Sequence, residues 1–108
     1  MGIVARGEVY LINLNPTVGS EVQKTRPCVV VSPDEMNKYI RTVIIAPMTT
    51  KSRNYKSRIE IRFKGKKGQI MLDQLRTVDK QRLARKQGKL SSEEMKKVLA
   101  LLQEMFTY

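Results

Sequence analysis

Arg26 stands in the tripeptide Thr25-Arg26-Pro27, directly before the apolar run Cys28 to Val31. A residue that precedes proline is confined to extended geometry, so this guanidinium is mounted on rigid backbone at the entrance to a strand. Its planar fork of donors suits a phosphate. Spacing alone leaves a second reading open, a partly buried arginine paired with Glu21 or with a backbone carbonyl, and that is the commoner use. Lys24 adds another cation to the same approach. Thr49 and Thr50 follow the stretch "VIIAPM". A hydroxyl at such a strand end can cap a turn or hydrogen-bond a phosphate oxygen, and capping is the usual role. Lys51, Arg53, Lys56 and Arg58 then make a basic run with Tyr55 interleaved. Cations for phosphates and a ring for bases are what a single-stranded nucleic acid requires. A solvated hairpin would look the same by charge alone. In "LDQLRTVDKQRL", Gln74 and Asp73 can read base edges, while Arg76, Lys80 and Arg82 can hold backbone.

Bulk composition narrows the chemistry. The 108 residues contain no histidine and one cysteine, Cys28. Histidine general-base catalysis is therefore excluded, and no Cys/His zinc site can be assembled. A lone cysteine forms no intramolecular disulfide, so a reducing cytoplasm is expected. There is no Gly-rich phosphate loop and no dense carboxylate cluster for magnesium ions, so no metal or cofactor is expected. The formal net charge is +11, from 21 Lys and Arg against 10 Asp and Glu, and an imbalance that large on a short chain points to a polyanionic partner. The longest apolar runs, "VVV" and "VII", fall far short of the roughly 20 residues of a membrane span. The start of the chain, "MGIVARGEVY", lacks the apolar core of a secretory signal.

The positioning elements follow from periodicity. "VYLINL" alternates as a strand over Val9 to Leu14, stopped by Asn15-Pro16. Pro27 to Ser32 reads as a buried strand, and "PDEMNKY" as a short helical turn beginning near Pro33. Thr42 to Ala46 is a third strand, expected to end at Pro47. "SRIEIRF" is a fourth, with Ile59, Ile61 and Phe63 on one face, and "KGKKG" is a basic turn. "QIMLDQL" is a fifth strand, and a short helix is expected around Lys80 to Ala84. Ser91 and Glu94 have capping-box spacing, and Met95, Val98, Leu99, Leu102, Met105 and Phe106 make the apolar face of a C-terminal helix. The expected architecture is one domain over residues 1–108: mainly β, a small barrel or strongly curved sheet, with the C-terminal helix packed on it. Two polar loops, Asn15 to Thr25 and Met48 to Ser57, are long enough to suggest function.

The set "GEVYLINLNPTVGSEVQKTRPCVVVSPDEMN", "APMTTKS" and "LDQLRTVDKQRL" resembles the MazF/PemK toxins of bacterial type II toxin–antitoxin systems. The resemblance runs from Arg6 to the C-terminal helix, and it is the combination of pieces that is specific. It implies an SH3-like barrel with a C-terminal helix and a homodimer. The implied activity is metal-independent, sequence-specific cleavage of single-stranded RNA, mainly messenger RNA. The RNA's own 2′-hydroxyl attacks, leaving 2′,3′-cyclic phosphate and 5′-hydroxyl ends, and a cognate antitoxin with an acidic tail covers the RNA groove. It implies catalytic roles for Arg26 and Thr49, with Glu21 as general base or as the group that orients Arg26. Lys24, Thr50, Lys51, Arg53, Tyr55, Lys56, Gln74 and Arg76 are the expected RNA contacts. Some members carry a histidine in the first loop and an arginine two positions before the "DQ" aspartate. Here Met71 fills the second position and no histidine exists, so those members' assignments do not transfer, and Asp73 is read as structural or base-reading. Two other functions remain possible on such a barrel: a gyrase-poisoning toxin, and an RNA-binding module without turnover.

Overall fold

The computed structural model describes residues 3–108. Seven strands, β1 (Glu8–Asn13), β2 (Thr25–Val30), β3 (Thr42–Thr49), β4 (Arg58–Phe63), β5 (Lys66–Met71), β6 (Arg76–Asp79) and β7 (Arg85–Lys89), form one antiparallel sheet. Two helices accompany it, α1 (Asp34–Tyr39) and α2 (Ser92–Met105). The strand order is β4-β5-β3-β2-β1-β7, and β6 also pairs with β3.

β3 is the pivot. Along one edge it pairs with β2, Cys28 opposite Pro47 and Val30 opposite Ile45. Along its other edge, Thr42 to Ile45 pair with β6, while Met48 and Thr49 pair with β5. A 3-10 turn at Leu72–Gln74 separates those two partners and lets the sheet curl into a half-barrel. Pro47 does not end β3, contrary to expectation. It falls in the gap where the outer partner changes, a place where a residue without an N–H interrupts no continuous ladder.

Alternation along the strands divides the core in two. Val9, Val29, Ala46, Met48, Ile61, Ile70 and Leu72 pack beneath Met95 and Val98 of α2. Ile12, Leu14, Cys28, Val30, Val43, Ile45 and Val78 pack on the opposite face. The capping box of α2 forms as the sequence predicts: Ser91 Oγ accepts from Glu94 N at 3.1 Å, and Glu94 Oε1 accepts from Ser91 N at 2.9 Å. The apolar face of α2 buries Met95 and Val98 and leaves Met105 and Phe106 exposed. At the other side of the half-barrel the edge strands meet through side chains. A Cβ at Gly88 of β7 would lie 3.3 Å from the Phe63 ring of β4.

β6 and β7 lie where the sequence predicts no strand. The expected helix near Lys80 is a 3-10 turn over Lys80–Arg82. The "KGKKG" turn is confined to Lys64 and Gly65, both at positive φ, because Lys66, Lys67 and Gly68 already belong to β5. No described helix is long and apolar enough to cross a membrane.

Candidate functional site

Arg26 and Thr49 come together at the open end of β2 and β3. Extending the Cys28–Pro47 register by two residues sets Arg26 across from Thr49, on the same face of the sheet. Both line one cavity of about 440 Å³, with Lys24, Thr50 and Pro27 around them. Arg26 Nε donates to the Gln23 carbonyl at 2.9 Å, so one edge of the fork is held by the loop and the rest is free to bind. Thr49 Oγ1 accepts from Lys51 N at 3.1 Å. That bond is the turn cap expected of a strand-end threonine, and it leaves the hydroxyl proton available to a ligand. Gly68 of β5 presses against the same residue: a Cβ there would lie 2.6 Å from the Thr49 carbonyl oxygen, so only glycine permits this approach.

Glu21, Gln74 and Arg76 line a second recess, together with Leu14, Val18 and Pro47. Pro47 shares a face of β3 with Thr49, and Cys28 shares a face of β2 with Arg26. Arg26 and Arg76 both act on the Cys28 thiol through their charge. Arg26 and Thr49 therefore occupy the ridge between the two recesses. Glu21 is not ion-paired with Arg26. The ion pairs among the described residues are Arg58–Asp73 and Lys86–Glu8, and the Glu21 carboxylate accepts from Val18 N at 3.1 Å. Lys51, Arg53, Tyr55 and Lys56 are exposed on the loop between β3 and β4 and line neither recess. Among the described residues, no three Asp, Glu or Cys side chains converge as metal ligands would.

A model of the PemK-like, MazF-like toxins of type II toxin–antitoxin systems matches residues 5–106. The chain belongs to this family. It is 41% identical over 102 residues to an endoribonuclease MazF of Staphylococcus saprophyticus, covering 89% of this chain and 85% of that protein. Its fold matches the crystal structure of MazF from Deinococcus radiodurans with a TM-score of 0.84 at 21% identity, over 97% of both chains. It also matches a mycobacterial endoribonuclease in complex with its cognate antitoxin, with a TM-score of 0.81 at 20% identity, over 97% of this chain and 98% of that one.

Within this MazF/PemK chain, several residues outside the expected set build the site. Gln69 is 4% exposed, and its carboxamide meets Arg53 twice: Oε1 accepts from Arg53 N at 3.1 Å, and Nε2 donates to Arg53 O at 2.9 Å. One buried side chain thereby satisfies both polar groups of a loop residue and fixes the basic loop against β5. A glutamine within a strand carries no sequence signal of such a role. Gln69→Leu should leave the β3–β5 ladder intact but free this loop, lowering stability by about 1–3 kcal/mol through the two unpaired groups. Denaturant unfolding reads the loss, and amide exchange should localise it to residues 51–56. Uniform destabilisation with unchanged exchange there would contradict the clamp.

The first loop is moored in the same way. Arg76 Nη1 donates to Leu14 O at 2.5 Å, Gln74 Oε1 accepts from Val22 N at 3.2 Å, and Arg82 donates to the carbonyls of Asn13 and Asn15. Gln74 and Arg76, expected as RNA contacts, thus shape the loop that carries Glu21. Lys64, Lys66, Lys67 and Gln87 also line the Arg26 cavity. The sequence presented these lysines only as a turn.

Two carboxylates tune the frame rather than the cavity. Burial works against the Asp73 charge, but Arg58 and Ser57 outweigh it and hold its pKa below the ordinary value. Burial also opposes the Glu8 charge, and the Ala5 amide, Lys86 and Tyr10 overcome it. The Tyr10 hydroxyl is in turn pushed up to about 12 by burial and by Glu8. Depressed folded-state values mean that the stability these groups add is complete above their unfolded values near 4. It is lost as pH falls through the lower folded values. The thermal midpoint should therefore drop steeply below about pH 4, and Glu8→Gln should flatten that drop. An acid limb of equal slope in the variant would remove Glu8 from the account. Burial pushes the Cys28 thiol up to about 12, so it is an inert wall behind Arg26.

Proposed function

We propose that this chain is a metal-independent endoribonuclease toxin that cuts single-stranded RNA, mainly messenger RNA, at specific sequences. The observation that carries the reading is the shared cavity that Arg26 and Thr49 line at the open ends of β2 and β3, in a chain of the MazF/PemK family. The 41% identical relative, named an endoribonuclease, supports it. The scissile phosphate lies on the ridge, with nucleotides on either side in the two recesses.

The 2′ oxygen of the RNA forms a bond to phosphorus while the bond from phosphorus to the 5′ oxygen breaks. The products are a 2′,3′-cyclic phosphate and a 5′-hydroxyl. In this reading Glu21 takes the 2′-hydroxyl proton; that the Arg26 guanidinium bonds the Gln23 carbonyl, while the Glu21 carboxylate accepts from Val18 N, supports it. Arg26 neutralises charge on the non-bridging oxygens and supplies the proton that the departing 5′ oxygen takes up, since an alkoxide is more basic than a guanidinium. Thr49 donates its free hydroxyl proton to a phosphoryl oxygen. Lys24, Thr50, Lys51, Arg53, Tyr55, Lys56 and Arg76 hold the strand, and Gln74 reads a base edge. These side chains meet the charge and proton demands of the step without a Lewis acid. A homodimer in the cytoplasm, neutralised by an acidic antitoxin, completes the reading; the mycobacterial neighbour solved with its cognate antitoxin supports the antitoxin alone.

Incubation of the purified protein with single-stranded RNA in excess EDTA should yield cyclic phosphate and 5′-hydroxyl ends at discrete sequences. Cleavage that requires added magnesium would sink the metal-free mechanism. Gyrase inhibition without RNA cleavage, or RNA binding without turnover, would replace the nuclease reading altogether.

A further inference from the structure

The cavity shared by Arg26 and Thr49 continues past them toward the β4–β5 hairpin. Its lining is of two kinds. Lys64, Lys66 and Lys67 join Lys24 and Arg26 to make five cations, and no Asp or Glu lines it. Ile61, Phe63 and Pro27 supply an apolar wall. The Phe63 ring is seated where β7 presents only Gly88, so the wall is fixed on two strands. Lys64 Nζ is already shared with Gln87 Oε1 at 3.4 Å. Lys66 and Lys67 are exposed, and neither belongs to an ion pair among the described residues.

We propose that this end of the cavity is a nucleotide subsite adjoining the scissile phosphate. Phe63 and Ile61 pack against the base, and Lys66 and Lys67 hold the next phosphate along the strand. This rests on the RNA reading above. The volume, about 440 Å³, suits one nucleotide rather than a folded partner. An apolar wall with an aromatic ring, rimmed by cations and free of carboxylates, matches a base joined to a phosphate. An acidic peptide would satisfy the lysines but offers no flat ring for each charge. A strand fixed at Arg26 and Thr49 has its neighbouring nucleotide within this cavity.

The test uses the whole protein, in EDTA. The probe is a short single-stranded RNA centred on a mapped cleavage site, with 2′-deoxyribose at the scissile position so that it binds without being cut. For Lys66→Gln/Lys67→Gln, the slope of log affinity against log salt should fall by about 1.4, the loss of two phosphate contacts on a single strand. Both residues are exposed, so the double variant keeps its fold. In a scan of single abasic positions, one position flanking the scissile phosphate should weaken wild-type binding about tenfold. That loss should vanish in Phe63→Leu, which keeps the apolar volume but removes the ring.

An unchanged salt slope, or an abasic profile identical in Phe63→Leu and wild type, would overturn the subsite. So would variants that bind RNA normally but lose affinity for a polyglutamate peptide, which would mark an acidic-polypeptide site instead. If the wild type cuts no RNA, the salt slope is read on a uridine homopolymer. The expected change there would support the lysine contacts even as the nuclease reading fell.

Discussion

Replacing Arg26 by Ala is expected to lower the single-turnover rate of RNA cleavage about 10³-fold, the scale on which an arginine acts at a transferring phosphoryl group. The fold should survive, because the side chain is half-exposed and donates to the Gln23 carbonyl of an exposed loop. The thermal midpoint should accordingly move little. RNA affinity should fall far less than the rate, since four lysines remain around the cavity and supply the field that draws the strand in. Arg26→Lys restores the charge but not the planar fork, and should recover only part of the rate. Single-turnover kinetics at saturating protein separate rate from affinity. A wild-type rate in Arg26→Ala would remove this residue from the chemistry and return it to a structural role beside Gln23.

What made Arg26 legible in the sequence was local. The proline that follows it fixes the backbone, and the apolar run behind it announces a strand. α2 was legible for the same reason, since Ser91, Glu94 and the apolar stripe are all set by neighbours in the chain. β7 was not, because Arg85 to Lys89 form a polar edge strand whose partner, β1, lies far away in sequence. The end of β3 was misplaced because Pro47 is tolerated by a change of partners that only the assembled sheet contains.

The site divides along the same line. Residue types at strand ends leave Arg26 and Thr49 open between structural and phosphate-binding roles, and the MazF/PemK resemblance points to them as site residues; their meeting depends on the β2–β3 register, which no local pattern encodes. Gln69 and Gly68 were invisible as functional residues, because their roles lie in what they touch: the Arg53 backbone and the Thr49 carbonyl. Gln74, Arg76 and Arg82 were read as groups facing a ligand, and the structure shows them bonded to the first loop. A basic residue can therefore shape a loop and still present charge to the recess it lines, as Arg76 does. That loop brings Glu21 to the second recess.

Glu21→Gln should separate proton transfer from binding. The carboxamide oxygen can still accept from Val18 N, so the loop keeps its conformation, and the loss of one negative charge should leave RNA affinity unchanged or slightly higher. The cleavage rate should nevertheless fall about 10²- to 10⁴-fold, the usual worth of a positioned general base. A substrate with sulfur in place of the 5′ bridging oxygen divides the two proton transfers. Its thiolate leaves without being protonated, so a variant lacking only the proton donor should be rescued, whereas one lacking the base should not. Arg26→Ala should regain part of its lost rate on this substrate, short of wild type because the charge on the non-bridging oxygens stays unbalanced. Glu21→Gln should regain none. If Glu21→Gln is rescued as well as Arg26→Ala, Glu21 acts through Arg26 and the base is another group. If Glu21→Gln cuts ordinary RNA at the wild-type rate, the first loop serves the strand's binding and not its chemistry.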